Sequence, residues 1–134
     1  MSVDAEFVRK IFAGLEHGDG AAFFGHVTDD VDWIVMGTHP LAGHYTSKAD
    51  FIAGTFAKLG KVLPNGAQLH VDNLIVADDV AIVELHSEAT ARNGFRFDNH
   101  YCWVCYFKND KIMRVRAYLD SVMVARLFDE NPIS

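Results

Sequence analysis

Apolar positions in the first part of the chain recur at helical spacing. Phe7, Val8, Ile11, Phe12 and Leu15 fall three or four residues apart and form one stripe of an amphipathic helix. Asp4 and Glu6 place negative charge in its first turn, where the helix dipole favours it, and Gly18 is a natural stop. Asp19 is suited to cap a second, short helix carrying Phe23, Phe24 and Val27, which Asp29-Asp30 breaks. The period then drops to two, with Val31, Trp33 and Val35 on one face of a strand reaching Met36. After the loop from Gly37 to Tyr45, Ser47 starts a third helix with Asp50 as an acidic variant of the capping box. Phe51, Ile52, Thr55, Phe56 and Leu59 make its buried stripe, and Gly60 ends it.

From Ala67 the pattern changes to long strands: Ala67 to Ala77, Val80 to Ala91, Phe95 to Lys108 and Lys111 to Leu119. Asp78-Asp79, Asn93-Gly94 and Asn109-Asp110 punctuate them as hairpin turns. Asp120 caps a last helix ending near Phe128. Helices followed by an antiparallel meander predict a single α+β domain over residues 1–134.

The central hairpin is the most informative segment. A two-residue turn at Asn93-Gly94 sets Glu88 opposite Asn99, His86 opposite Tyr101 and Glu84 opposite Trp103, all six on one surface. Val83, Leu85 and Ser87 then share the other surface with Val104, Cys102 and His100. On this reading one face lines a mixed polar and aromatic pocket beneath the helices. The other, also apolar, packs against a second copy of the chain, so a homodimer is expected. Glu84, His86 and Glu88 also fit an ordinary solvent-facing stripe, and a slip of one residue at the turn exchanges the two faces.

Composition narrows the function. Twelve Lys and Arg against eighteen Asp and Glu give a net charge of -6, with no basic stripe, which argues against nucleic-acid and anionic-membrane binding. No apolar run approaches the roughly 20 residues needed to span a bilayer. The opening Met1-Ser2-Val3-Asp4-Ala5-Glu6 lacks the basic start and apolar core of a signal peptide, so a cytoplasmic location is expected. Cys102 and Cys105 have C-x-x-C spacing, but within a β-prone run their sulfurs diverge to opposite faces and read as reduced packing residues. Seven histidines raise the question of zinc, yet no H-x-x-x-H helix spacing or paired cysteine set accompanies them, so no metal is expected.

Several segments together resemble a known family: Asp29-Asp30-Val31-Asp32-Trp33, the Pro40-Leu41-Ala42-Gly43-His44-Tyr45 loop, Asn99-His100-Tyr101-Cys102-Trp103-Val104, Lys111-Ile112, and Arg116-Ala117-Tyr118-Leu119-Asp120. In this order they are similar to the SnoaL-like, ketosteroid-isomerase-related branch of the nuclear transport factor 2-like superfamily. The resemblance implies a cystatin-like cone, a curved antiparallel sheet wrapped around a pocket closed by N-terminal helices. It also implies frequent dimerisation through the outer sheet face and no cofactor. The three polar groups of the ketosteroid isomerases would fall at Val35, Ile11 and Trp103, and all three are missing. The last-strand acid of the epoxide-hydrolase members would fall at Ala117.

Glu84, set against Trp103, is the first candidate for a general acid or base, since an aromatic wall desolvates a carboxyl group and raises its pKa. Pairing with His86 or an arginine is the structural alternative. Asn99 and Tyr101 are candidate oxyanion donors, and His39 is a secondary proton-transfer candidate at the pocket rim. Trp33, Val35, Trp103, Ile11, Phe56, His86 and Glu88 are expected to contact the ligand, a small apolar organic compound. Two activities fit: proton-transfer isomerase, cyclase or lyase chemistry on a carbonyl compound, or non-catalytic binding of an apolar ligand.

Overall fold

The computed structural model describes residues 3–133; Met1 and Ser2, which open the segment read for a leader, lie outside the described residues. Helix α1 (Ala5–Glu16) begins at Asp4, whose carboxylate accepts the Phe7 N–H at 2.8 Å. Its stripe Val8, Ile11, Phe12 and Leu15 is buried. Helix α2 (Gly20–Phe24) is capped by Asp19 as expected, but it ends at Phe24. Val27 instead opens strand β1 (Val27–Val35), which therefore runs through Asp29-Asp30.

The loop after β1 contains a short strand, β2 (Gly43–Tyr45), paired antiparallel to β1. The expected third helix is two, α3 (Lys48–Gly54) and α4 (Phe56–Val62), broken at Thr55 with φ -129° and ψ -83°. The Thr55 hydroxyl bonds back to the Phe51 carbonyl at 2.7 Å, a local bond that competes with helix propagation. Gly60 lies inside α4 rather than ending it.

Strands β3 (Leu69–Ala77), β4 (Val80–Ser87), β5 (His100–Lys108) and β6 (Lys111–Leu119) form the meander, and α5 (Ser121–Glu130) follows the Asp120 cap. The sheet order is β2-β1-β6-β5-β4-β3, with β1 joined parallel to β6. The fold is α+β, with a curved six-stranded sheet wrapped on one side by α1 to α4. Irregular steps at Val71/Asn73, Tyr106/Phe107 and Val27/Asp32 interrupt the ladders, as bulges do where a sheet must bend.

The register between β4 and β5 differs by one residue from the expected one. His86 pairs with His100, Glu84 with Cys102 and Val83 with Trp103. The cause is the turn. Ala91 N–H donates to Phe95 O, Gly94 N–H donates to Ala91 O, and Gly94 has φ +89°. This is a three-residue connection with a left-handed glycine rather than a two-residue turn. One extra loop residue exchanges the faces. Val83, Leu85, Ser87, Asn99, Tyr101, Trp103 and Cys105 point into the cone, whereas Glu84, His86, His100 and Cys102 stand on the outside.

A second apolar cluster lies beside the main core. Phe97, from the irregular arm between β4 and β5, packs with Leu41, Val62, Leu63, Val124 and Leu127, so this arm, α4 and α5 share one apolar cluster.

Candidate functional site

Aromatic side chains from three directions converge inside the cone. Trp33 on β1 is fully buried, stacks on Phe51 of α3 at 3.8 Å and meets Trp103 of β5 edge-on at 5.2 Å. Phe56, at the start of α4, packs edge-on against Phe24 and Phe51 at 5.7 and 6.0 Å. Between them is a cavity of about 40 Å³, walled by Trp33, Val35, Phe51, Thr55, Phe56, Tyr101, Trp103, Ala117 and Leu119 among others.

Few polar groups reach this wall. The Trp33 indole N–H is buried without a hydrogen-bond partner. The Tyr101 hydroxyl donates to Ser87 Oγ at 3.3 Å, longer than an ordinary O–H···O bond, so a better acceptor can compete for it. Burial pushes the Tyr101 pKa well up, and the phenol stays neutral. Ser87 Oγ also accepts from Asn99 N–H at 3.0 Å and donates to Phe97 O at 2.8 Å. Tyr101 is the only ionisable side chain among the described residues of the wall.

The other expected site residues stand elsewhere. Ile11 is buried in the main core under the helices. Asn99 is fully buried, but its side chain is already committed. Its Oδ1 accepts from His100 N–H at 2.7 Å and Asp120 N–H at 3.0 Å, and its Nδ2 donates to Asp120 O at 3.2 Å. It ties the arm before β5 to the cap of α5.

His39 is buried in the rim loop. Its Nδ1 accepts from Leu41 N–H at 3.2 Å, which leaves Nε2–H to donate to Met36 O at 2.9 Å. Both nitrogens therefore brace the loop.

Glu84 is exposed on the outer face, where Asn73 Nδ2 donates to it at 3.0 Å, and the sheet separates it from the cavity. The expected pairing of Glu84 with Trp103 is corrected by the three-residue turn. His86 lies outside as well, between Asp72 at 2.7 Å and Glu88 at 2.8 Å. The hydrogen bond that His86 donates to Glu88 raises its pKa most, the Asp72 contact adds to this, and partial burial opposes both. His70, His86 and His100 form a row across β3, β4 and β5, with ring centres 5.2 and 6.2 Å apart. Among the described residues no group of three His, Cys, Asp or Glu side chains is placed to hold a metal ion.

The cysteines divide as their spacing requires. Cys105 is buried in the core and Cys102 stands outside, both reduced, and burial raises the pKa of each thiol. No helix among the described residues is long and apolar enough to cross a membrane. Sequence reasoning missed Ser87, read Phe51 as core first and ligand wall second, and gave Thr55 only a core role. Thr55, a polar residue in an apolar helical stripe, was the visible signal.

Comparison with known proteins gives consistent results. The dimerizing cyclase phiC of a fungal species is 28% identical over 138 residues, an alignment covering 98% of this chain and 59% of the cyclase, so the chain spans under two thirds of that relative. An NTF2-like protein from Burkholderia thailandensis superposes with a TM-score of 0.79 at 25% identity, covering 92% of this chain and 95% of that one. The structure of TerC co-crystallized with polyporic acid superposes with a TM-score of 0.74 at 22% identity, covering 92% and 96%. The SnoaL-like domain family matches residues 8–115, and the chain belongs to that family, within the NTF2-like fold.

Proposed function

We propose that the cone cavity binds a small, neutral, apolar carbonyl compound and promotes its cyclisation or isomerisation without a cofactor. The observation that carries this reading is the unpartnered N–H of Trp33, a residue of a largely apolar wall. A buried donor without an acceptor costs free energy that a ligand oxygen would recover. Tyr101, held neutral by burial, supplies a second donor for a developing oxyanion. The aromatic wall would fold the substrate into a reactive conformer. The name of the related cyclase supports this class of reaction.

A binding module without catalysis is the second reading. It is favoured by the absence of any carboxylate or histidine from the described wall. Turnover assays on neutral cyclic and polyketide-like ketones, with Trp33→Phe and Tyr101→Phe as variants, separate the two. For the enzyme, each variant is expected to lower kcat by about 100-fold or more, the scale of losing one oxyanion donor, and Trp33→Phe is expected to raise KM as well, because its N–H already meets the ligand oxygen in the bound state. Saturable binding with no product from any ketone, and variants that change only Kd, would favour the module.

The outer face supports a homodimer. Ile75, Ile82 and Val104 form an apolar row across three strands, with Ile75 54% and Tyr118 45% exposed. Sedimentation at micromolar concentration is expected to give a dimer that Ile75→Glu converts to monomer. A wild-type protein that is monomeric throughout would contradict it.

A further inference from the structure

The inner cavity is too small for the ligand proposed above. At about 40 Å³ it compares with roughly 300–1,000 Å³ for drug-sized ligand sites. A second, open groove of about 450 Å³ lies outside it, between the α1–α2 turn, α3, α4 and the segment from Asn65 to Gln68. Gly18, Gly20, Gly60 and Gly66 keep its walls low. Phe56, Leu59 and Ala67 line both spaces, so these three side chains are the partition between them.

Of the three, Phe56 has both the bulk to close the passage and the freedom to open it. Leu59 is buried and Ala67 has no rotamers, whereas Phe56 is only half-buried. It is the first residue of α4, directly after the break at Thr55, and that helix start has no side-chain cap. Its ring meets Phe24 and Phe51 edge-on rather than in a stack.

From this we infer that Phe56 gates a single elongated site, made of the inner cavity and the outer groove, for a neutral apolar molecule with a hydrogen-bond acceptor at its inner end. The inference rests on the reading of the cavity as a small-molecule site and adds the ligand's shape and orientation. The acceptor meets the Trp33 N–H, the body passes the Phe56 ring, and the tail lies in the glycine-walled groove. The absence of a charged side chain from the described inner wall selects a neutral end. With Phe56 closed, the binding-competent form is a minor population, and apparent affinity falls by that fraction.

The test uses 6-propionyl-2-(dimethylamino)naphthalene, a neutral fluorophore with its carbonyl at one end, and follows energy transfer from tryptophan by stopped flow. Phe56→Ala is expected to raise the association rate and tighten binding about tenfold, the factor for an open state populated near 10%. Phe56→Leu, which keeps most of the core contact, is expected to give a smaller increase, and Phe56→Trp a decrease. Trp33→Phe should weaken binding to wild type and to Phe56→Ala by the same factor. Equal rates and affinities for wild type, Phe56→Leu and Phe56→Ala, with Trp33→Phe still weakening binding, would overturn the gate and leave the cavity reading intact. No saturable binding by any of these proteins would overturn both.

Discussion

Replacing Trp33 by alanine is expected to destabilise the fold by about 3–5 kcal/mol, the range for large aromatic truncations in a packed core. Trp33 is fully buried, and its ring holds α3 to the sheet through the 3.8 Å stack on Phe51 and the edge contact with Trp103. Truncation would merge the small cavity beside it with the space the indole vacates, and the surrounding strands cannot collapse to fill it. For a domain with a typical stability of about 5–15 kcal/mol, the loss is a large fraction of the total. Urea unfolding checks it: the midpoint should fall sharply with the slope unchanged. Trp33→Phe should lose much less, because a ring remains in the stack. A loss below about 1 kcal/mol for the alanine variant would mean that the indole is not part of a close-packed wall.

Asn99→Leu is expected to cost about 1–3 kcal/mol, although leucine keeps the branched outline of asparagine. The substitution leaves the part-buried His100 N–H, Asp120 N–H and Asp120 C=O without their partner, and an unpaired group costs about 1–3 kcal/mol when water does not fully replace the lost bond. Because Asn99 joins the β4–β5 arm to the cap of α5, protection of α5 amides from hydrogen exchange should fall before that of β5 amides. Were Asn99 an oxyanion donor alone, the same variant would keep its stability and lose only turnover. Unfolding and hydrogen exchange on this one protein therefore decide between the two roles.

Most of the fold was legible because its signals are local and repeated. The stripe from Val8 to Leu15, the caps at Asp19, Ser47 and Asp120, and the β-rich run after Ala67 each specify an element through several residues at once. The Asp78-Asp79 and Asn109-Asp110 turns were legible for the same reason: Asp78, Asn109 and Asp110 take the positive φ that these residue types tolerate. What failed were single-residue decisions. Thr55 splits a helix whose apolar stripe runs through it, because its hydroxyl returns to the Phe51 carbonyl. Val27 opens a strand rather than closing a helix.

The candidate site suffered more than the fold, since it rested on one such decision. Asn93-Gly94 suggests a two-residue turn, but Ala91 and Phe95 close a three-residue loop around it. A difference of one residue in loop length leaves every element in place and carries Glu84, His86 and Glu88 from the cavity to the outer face. Tyr101 and Trp103 face inward because the bulky apolar side of β5 packs under the helices. The partners of Asn99 and His39 are backbone groups brought close by chain reversal, which residue types and spacing do not encode.

A crystal structure of the protein soaked with 6-propionyl-2-(dimethylamino)naphthalene decides whether the cone cavity is a site for a small neutral carbonyl compound. The ring system is expected to displace Phe56 between the inner cavity and the outer groove, with the carbonyl oxygen about 2.7–3.2 Å from Trp33 Nε1. A ligand bound on the outer sheet face beside Glu84 and His86, with the cone unchanged, would contradict it.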